Sequence, residues 1–197
     1  MATLFVDKLD PQSGTALEIG TSGDTVTVPS GATFNVAGTL QSGGAAVVNT
    51  PTFLATISGG NQSVSASTYT TITINSEQFD TGGCFNNTGS TVTLNGISTP
   101  AYSFAPNVSG KYFLFGKTQS QSGGTYEIMY LKKNGDNVVE VQYYSDVGSA
   151  RSCYGGTIVE ANGSSDTFSM VRWQNGGTLL TYQGINNTFF GAYKIIE

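Results

Sequence analysis

The most hydrophobic run of the chain is Tyr112-Phe113-Leu114-Phe115, and it comes after the turn Phe104-Ala105-Pro106-Asn107-Val108-Ser109-Gly110-Lys111. Pro106 fixes φ and Gly110 accepts positive φ, so the chain turns there, and the aromatic run beyond it has the composition of a strand. Side chains alternate along a strand, which sends Tyr112 and Leu114 to one face and Phe113 and Phe115 to the other. Both faces are apolar. An antiparallel strand ordinarily keeps one wet face, so this one needs two covers: a second sheet of its own chain and, most simply, a neighbouring subunit.

The rest of the composition agrees with a β protein. The chain has 197 residues, of which only 11% are charged and 26 are Gly. Many short strands joined by tight turns fit this, with one well-buried domain and a small appendage. The net charge is -5, and the eight Lys and Arg are scattered apart from the pair Lys132-Lys133, so no basic stripe awaits a phosphate backbone. Nucleic acid is excluded as a partner on that ground. No run approaches the roughly 20 apolar residues of a membrane helix, which argues against membrane insertion. The opening Met1-Ala2-Thr3-Leu4-Phe5-Val6-Asp7-Lys8 lacks a secretory pattern, so folding in a cytosol is expected. Cys84 and Cys153 lie far apart without metal-ligand spacing and read as free thiols.

Residues 1–50 differ in character from the remainder of the chain. Three β-like runs, Ala16-Leu17-Glu18-Ile19, Thr25-Val26-Thr27-Val28 and Thr33-Phe34-Asn35-Val36, are separated by short Gly- and Ser-containing turns. Leu17, Ile19, Val26, Val28, Phe34 and Val36 form the candidate inner face. Six modest side chains do not offset about 1–2 kcal/mol of backbone entropy per residue, so the segment is expected to fold only by pairing with copies of itself. A trimeric β-prism or β-helix-like stalk is the natural arrangement. The pieces Thr3-Leu4-Phe5-Val6-Asp7-Lys8-Leu9, Pro11-Gln12-Ser13-Gly14-Thr15 and Gly23-Asp24-Thr25-Val26-Thr27-Val28-Pro29-Ser30-Gly31-Ala32-Thr33 together resemble the opening of fibre-like virion proteins of marine tailed bacteriophages. That resemblance implies a virion protein.

Residues 39–51 are small and weakly patterned, a linker or close-packed neck, and the boundary falls near Thr50. From residue 51 to residue 197, strand signals recur at short intervals. Tyr126-Glu127-Ile128-Met129-Tyr130-Leu131 and the run from Val138 to Tyr144 flank Asn134-Gly135, the strongest short hairpin signal, because both residues tolerate positive φ. The strands suffice for two packed antiparallel sheets. Pro51-Thr52-Phe53-Leu54-Ala55, Phe79-Asp80-Thr81-Gly82, Phe104-Ala105-Pro106 with Gly110-Lys111-Tyr112, Leu131-Lys132-Lys133-Asn134-Gly135 and the closing Phe189-Phe190-Gly191-Ala192-Tyr193-Lys194-Ile195 succeed one another in the order and spacing of a known module. It is the globular head shared by the first complement component and tumour-necrosis-factor-like (TNF-like) proteins, which this region resembles. The segment around Gly89 to Thr99 departs from the pattern. The resemblance implies a ten-stranded jelly roll assembling as a homotrimer, with the last strand beside the Gly-x-Tyr strand at the threefold interface. Tyr112, Phe113, Leu114, Phe115, Phe189, Phe190 and Tyr193 are the interface candidates.

The chain contains no histidine, which removes Ser-His-Asp and Cys-His nucleophiles and the usual zinc sites together. Its Gly-Gly pairs, 155-156 among them, lack the Lys-Ser/Thr of a phosphate loop and read as turns. Thirteen Asp and Glu leave a glycosidase-like carboxylate pair open, yet no pattern selects any two. Asp80, Asp136, Asp146 and Asp166 are possible calcium ligands without an EF-hand loop. The expectation is therefore no enzyme, no cofactor and no metal. Tyr143, Tyr144, Tyr154 and Trp173 are candidates for an aromatic recognition platform, against the competing reading that each fills the core or the subunit interface. Together these readings make the chain a structural protein of a phage virion, assembled in the host cytoplasm, anchored to other virion proteins by its stalk and projecting a jelly-roll head. A tail fibre and a capsid decoration or vertex protein are the two forms of that reading. From a different class come a carbohydrate-binding module that attaches to a host surface glycan or receptor, or a secreted bacterial adhesin, and third a glycan-degrading enzyme with two facing carboxylates.

Overall fold

A computed structural model describes residues 15, 17, 19–42, 45–123, 125–144 and 150–196. The strands begin with a small hairpin, β1 Gln41–Ser42 and β2 Ala45–Ala46. Then come β3 Thr52–Thr56, β4 Gln62–Val64, β5 Thr70–Thr71, β6 Ser76–Asp80, β7 Val92–Leu94, β8 Ile97–Thr99 and β9 Ser103–Phe104. The long strands are β10 Gly110–Ser120, β11 Tyr126–Lys133, β12 Asp136–Tyr144, β13 Arg151–Ala161 and β14 Phe168–Gln174, before β15 Leu179–Thr181 and β16 Phe189–Lys194.

They form two stacked antiparallel sheets. In the larger, β10 runs between β13 on one side and β16 on the other, and β3 and β6 continue beyond β16. The end of β10 also touches β15, which pairs with β4. The smaller sheet has the order β12, β11, β14, with β5 and β9 both laid against β14. Between the sheets lie Phe53, Phe85, Phe104, Tyr112, Leu114, Met129, Leu131, Phe168, Met170 and Phe190, all buried. The Phe53 ring stacks on Phe85 and Phe104 at 4.5 and 4.6 Å.

Asn134 and Gly135 take φ of 52° and 92°, the mirror-image turn expected between β11 and β12. The departure around Gly89 to Thr99 is a second such hairpin, β7–β8, turning at Asn95 and Gly96. Gly155-Gly156 is not a turn: both residues lie within β13. A Cβ on Gly155 would collide with Val141 Cγ2, and one on Gly156 would meet the Leu114 carbonyl oxygen at 2.7 Å, so the pair serves close packing against neighbouring strands.

The three β-like runs of the first segment carry no sheet ladder among the described residues of the single chain; residues 16 and 18 lie outside the described residues, as do residues 1–14 with the motif pieces they hold. Ile19, Val26 and Phe34 are 62%, 63% and 69% exposed, so no described residue of the same copy covers the candidate inner face.

One end of the core is ionic. Glu127, Arg151 and Arg172 are fully buried. Glu127 Oε1 accepts from Arg172 Nη2 at 2.8 Å and from the Ser120 hydroxyl, and Arg151 Nη1 lies 3.7 Å away. Arg172 Nη1 donates to Thr181 Oγ1 at 2.7 Å. One carboxylate thus holds two guanidinium groups inside the sandwich.

Candidate functional site

The outward face of the larger sheet is built by register. Phe113 stands opposite Ile158 of β13 and Tyr193 of β16; Phe115 stands opposite Gly156 and Gly191; Lys117 stands opposite Tyr154 and Phe189. Beyond β16 the second row continues through Leu54 to Phe79. Because strand side chains alternate, all of these share the face turned away from the core. The result is three rows of mostly aromatic side chains on one surface.

The rings touch along and across the strands. Phe113 lies 5.8 Å from Phe115 and 5.6 Å from Tyr193, while Phe115 reaches Phe189 at 6.2 Å and Tyr193 at 6.5 Å. Tyr154 extends the group, 6.2 Å from Phe189. Phe115 owes its position to its two glycine neighbours. A Cβ on Gly191 would meet the Phe115 ring at 2.5 Å and one on Gly156 would meet Phe115 Cβ at 3.1 Å, so the ring lies across bare backbone. Tyr154, Ile158, Phe79 and Tyr193 remain 61%, 59%, 47% and 42% exposed. Lys117, the one cation in the rows, has its ammonium tied to the Asn186 carbonyl at 2.7 Å.

The seven interface candidates divide by parity. Phe113, Phe115, Phe189 and Tyr193 lie on this face. Tyr112, Leu114 and Phe190 do not: all three are 0% exposed in the core, with the Tyr112 hydroxyl donating to the Val108 carbonyl at 2.7 Å. Burial also pushes the Tyr112 phenol well above its ordinary range, helped by the nearby Cys84. Ile158, Tyr154, Leu54 and Phe79 also belong to the face, although no sequence pattern marks them as interface residues.

The three platform candidates with described side chains, Tyr143, Tyr154 and Trp173, do not meet. Tyr143 points inward from β12 with Val139 and Val141 and packs against the main core. Tyr154 is on the aromatic face of the larger sheet. Trp173 lies on the outer side of the smaller sheet, edge-on to Tyr126 at 5.6 Å and packed against Ile128, Tyr130 and Val171. The side chain of Tyr144 lies outside the described residues. Of the four aspartates, Asp80 accepts from the Phe85 N–H at 2.8 Å, and Asp166 accepts from Asn134 and Asn162 and pairs with Lys133 at 3.0 Å. Asp136 is exposed at the start of β12, and Asp146 lies outside the described residues. Among the described residues no three His, Cys, Asp or Glu side chains converge. Both cysteines are free and buried.

No protein-family model matches the chain, and no curated protein does. Solved structures do match. Murine APRIL at pH 5.0 superposes with a TM-score of 0.53 at 12% identity, over 73% of this chain and 98% of that one. Eiger TNF from S. frugiperda gives 0.52 at 9% identity, over 73% and 91%. The globular domain of zebrafish complement 1qA protein gives 0.50 at 16% identity, over 74% and 97%. At such identities the likeness speaks for fold alone, and the fold is an all-β antiparallel sandwich of the TNF and complement 1q kind.

Proposed function

We propose that the chain is a homotrimeric structural protein of a bacteriophage virion, a fibre or appendage whose first fifty residues anchor it to other virion proteins and whose jelly-roll head projects. The observation that carries the trimer is the aromatic face of the larger sheet. Its rows join residues from β10, β13, β16, β3 and β6, a contiguous apolar surface of the kind that marks protein association. A second copy is its natural cover, since a closed ring of like faces satisfies every copy at once. The front segment supports the same reading, because Ile19, Val26, Phe34 and their neighbours have no cover among the described residues of one copy. The virion assignment rests on the resemblance of residues 3–33 to fibre-like phage proteins.

Sedimentation equilibrium on the full chain tests the assembly: a mass near three times 20.6 kDa is expected. A monodisperse monomer at micromolar concentration overturns it. Immunogold labelling of phage particles with antibody to the head tests the virion role and places the trimer on tail or capsid. Unlabelled particles refute that role.

A further inference from the structure

The smaller sheet carries a groove on its outer side, away from the aromatic rows. It has a volume of about 480 Å³ and is walled by the β7–β8 hairpin with the loop after it, the turn between β11 and β12, and the segment leading into β14. Thr71, Ser98, Ser103, Asn134, Thr167 and Ser169 bring hydroxyl and amide groups to it, and none of its lining residues is charged. Part of this polar set is fixed. Asn134 Oδ1 accepts from the Thr167 N–H at 2.8 Å while its Nδ2 donates to Asp166 at 2.8 Å, and Ser103 Oγ donates to the Ala101 carbonyl at 3.2 Å. The other part is unspent: among the described residues the hydroxyls of Thr71, Ser98 and Ser169 have no partner in the chain.

Beside the groove, on the same outer face of the smaller sheet, stands an aromatic pair. On β14, Ser169 stands opposite Lys132 of β11, and the next outward residue, Val171, stands between Tyr130 and Thr71. Tyr130 meets the ring of Tyr69 at 5.5 Å, and Tyr69 is 62% exposed. Lys132 Nζ sits 5.9 Å from both ring centres and donates to the carbonyl of Gly135, itself a groove residue, at 3.0 Å.

We propose that this groove binds a neutral saccharide, a hexose or hexose disaccharide, with a pyranose C–H face on the Tyr69 ring and ring hydroxyls on Thr71, Ser98 and Ser169. A sugar offers a rigid array of hydroxyls that both donate and accept, as serine and threonine do, beside an apolar patch that an aromatic face covers. The volume lies within the usual range for small-molecule sites. The lining brings no charge of its own, and the cation beside it, Lys132, is held on the Gly135 carbonyl and over the Tyr69 and Tyr130 rings. A neutral ligand is therefore favoured, and a charged sugar serves as the control. The site draws only on the geometry of the head, is independent of any virion role, and stays open when copies associate through the larger sheet.

Saturation-transfer NMR on the full chain with glucose, galactose, N-acetylglucosamine, maltose and lactose at millimolar concentration tests it. Transfer to the ring C–H protons of at least one of these is expected. Tyr69→Ala, at an exposed position, should weaken that sugar at least tenfold, and Ser169→Trp should abolish its binding by filling the groove, with the thermal midpoint of Tyr69→Ala unchanged. Three outcomes overturn the site: no transfer to any of the five, transfer that survives both substitutions, or transfer only to a sialylated or uronic control sugar.

Discussion

Two neighbouring positions on β10 separate the sandwich core from the aromatic face proposed above as the subunit interface. Phe113 is half-buried on the outward face and Leu114 is fully buried between the sheets. In Phe113→Asp the new carboxylate stays hydrated in a lone copy, so the head keeps its fold and loses only the contacts of one partly covered ring. On association the same carboxylate leaves water without a partner, at about 3 kcal/mol per copy. Three copies raise the free energy of a trimer by about 9 kcal/mol, roughly a million-fold in the association constant. Leu114→Asp instead places the charge in the core, where a similar penalty joins about 2 kcal/mol of lost burial and consumes much of the roughly 5–15 kcal/mol typical of a domain. Light scattering after size exclusion, with circular dichroism, should therefore find Phe113→Asp a folded monomer and Leu114→Asp unfolded. A folded trimer from Phe113→Asp would refute the assignment of this face.

Further predictions concern the interior. Glu127→Gln removes the carboxylate that two buried guanidinium groups share and should lower urea-unfolding stability by about 3–5 kcal/mol; an unchanged midpoint would show the ionic cluster to be dispensable. Burial pushes the Asp166 carboxyl up, but hydrogen bonds from Asn134, Lys133 and the Asn162 N–H, with the Lys133 charge, outweigh it and hold the group below the ordinary aspartate range. A depressed folded pKa adds stability above the unfolded value near 4, and that part is lost as pH falls through the folded value. The thermal midpoint of the wild type should thus exceed that of Asp166→Asn at pH 6 and converge on it in strong acid; a constant gap would refute the linkage. Burial, with the Glu127 charge, pushes the Cys153 thiol up to about 11, and burial also raises Cys84. Neither should react with a disulfide reagent at pH 8 until denaturant is added, and rapid labelling of the native protein would contradict their burial.

The order of strands, the hairpin at Asn134-Gly135 and the central place of β10 are legible in the sequence, because aromatic alternation and turn chemistry are local signals. The two faces of β10 are legible as well. Which face is inward is not, since Tyr112 and Leu114 are as apolar as Phe113 and Phe115, and the answer comes from the sheet stacked over one side. Tyr143 shares the parity of Val139 and Val141, a signal that could have placed it inward. The first half of β13 escapes a sequence reading because Arg151, Ser152 and the two glycines have no strand composition; β10 imposes the ladder on them from a distance in sequence. Glu127 and Arg172 meet across 45 residues, which no local pattern records. The groove is equally silent, its serines and threonines looking like ordinary loop residues until the fold gathers them.

The seating of the Phe115 ring over Gly191, with its Cβ and the Phe113 ring against Gly156, bears on how fast and how firmly copies would join in the proposed trimer. A large side chain on an open sheet face usually samples several rotamers, and freezing it on contact opposes binding by about 0.5–1.5 kcal/mol. Here the glycine floor and the neighbouring rings already confine Phe115 in the solitary head. In the proposed trimer this face is thus preorganised by folding itself, and recognition between copies would begin from a template that is already set.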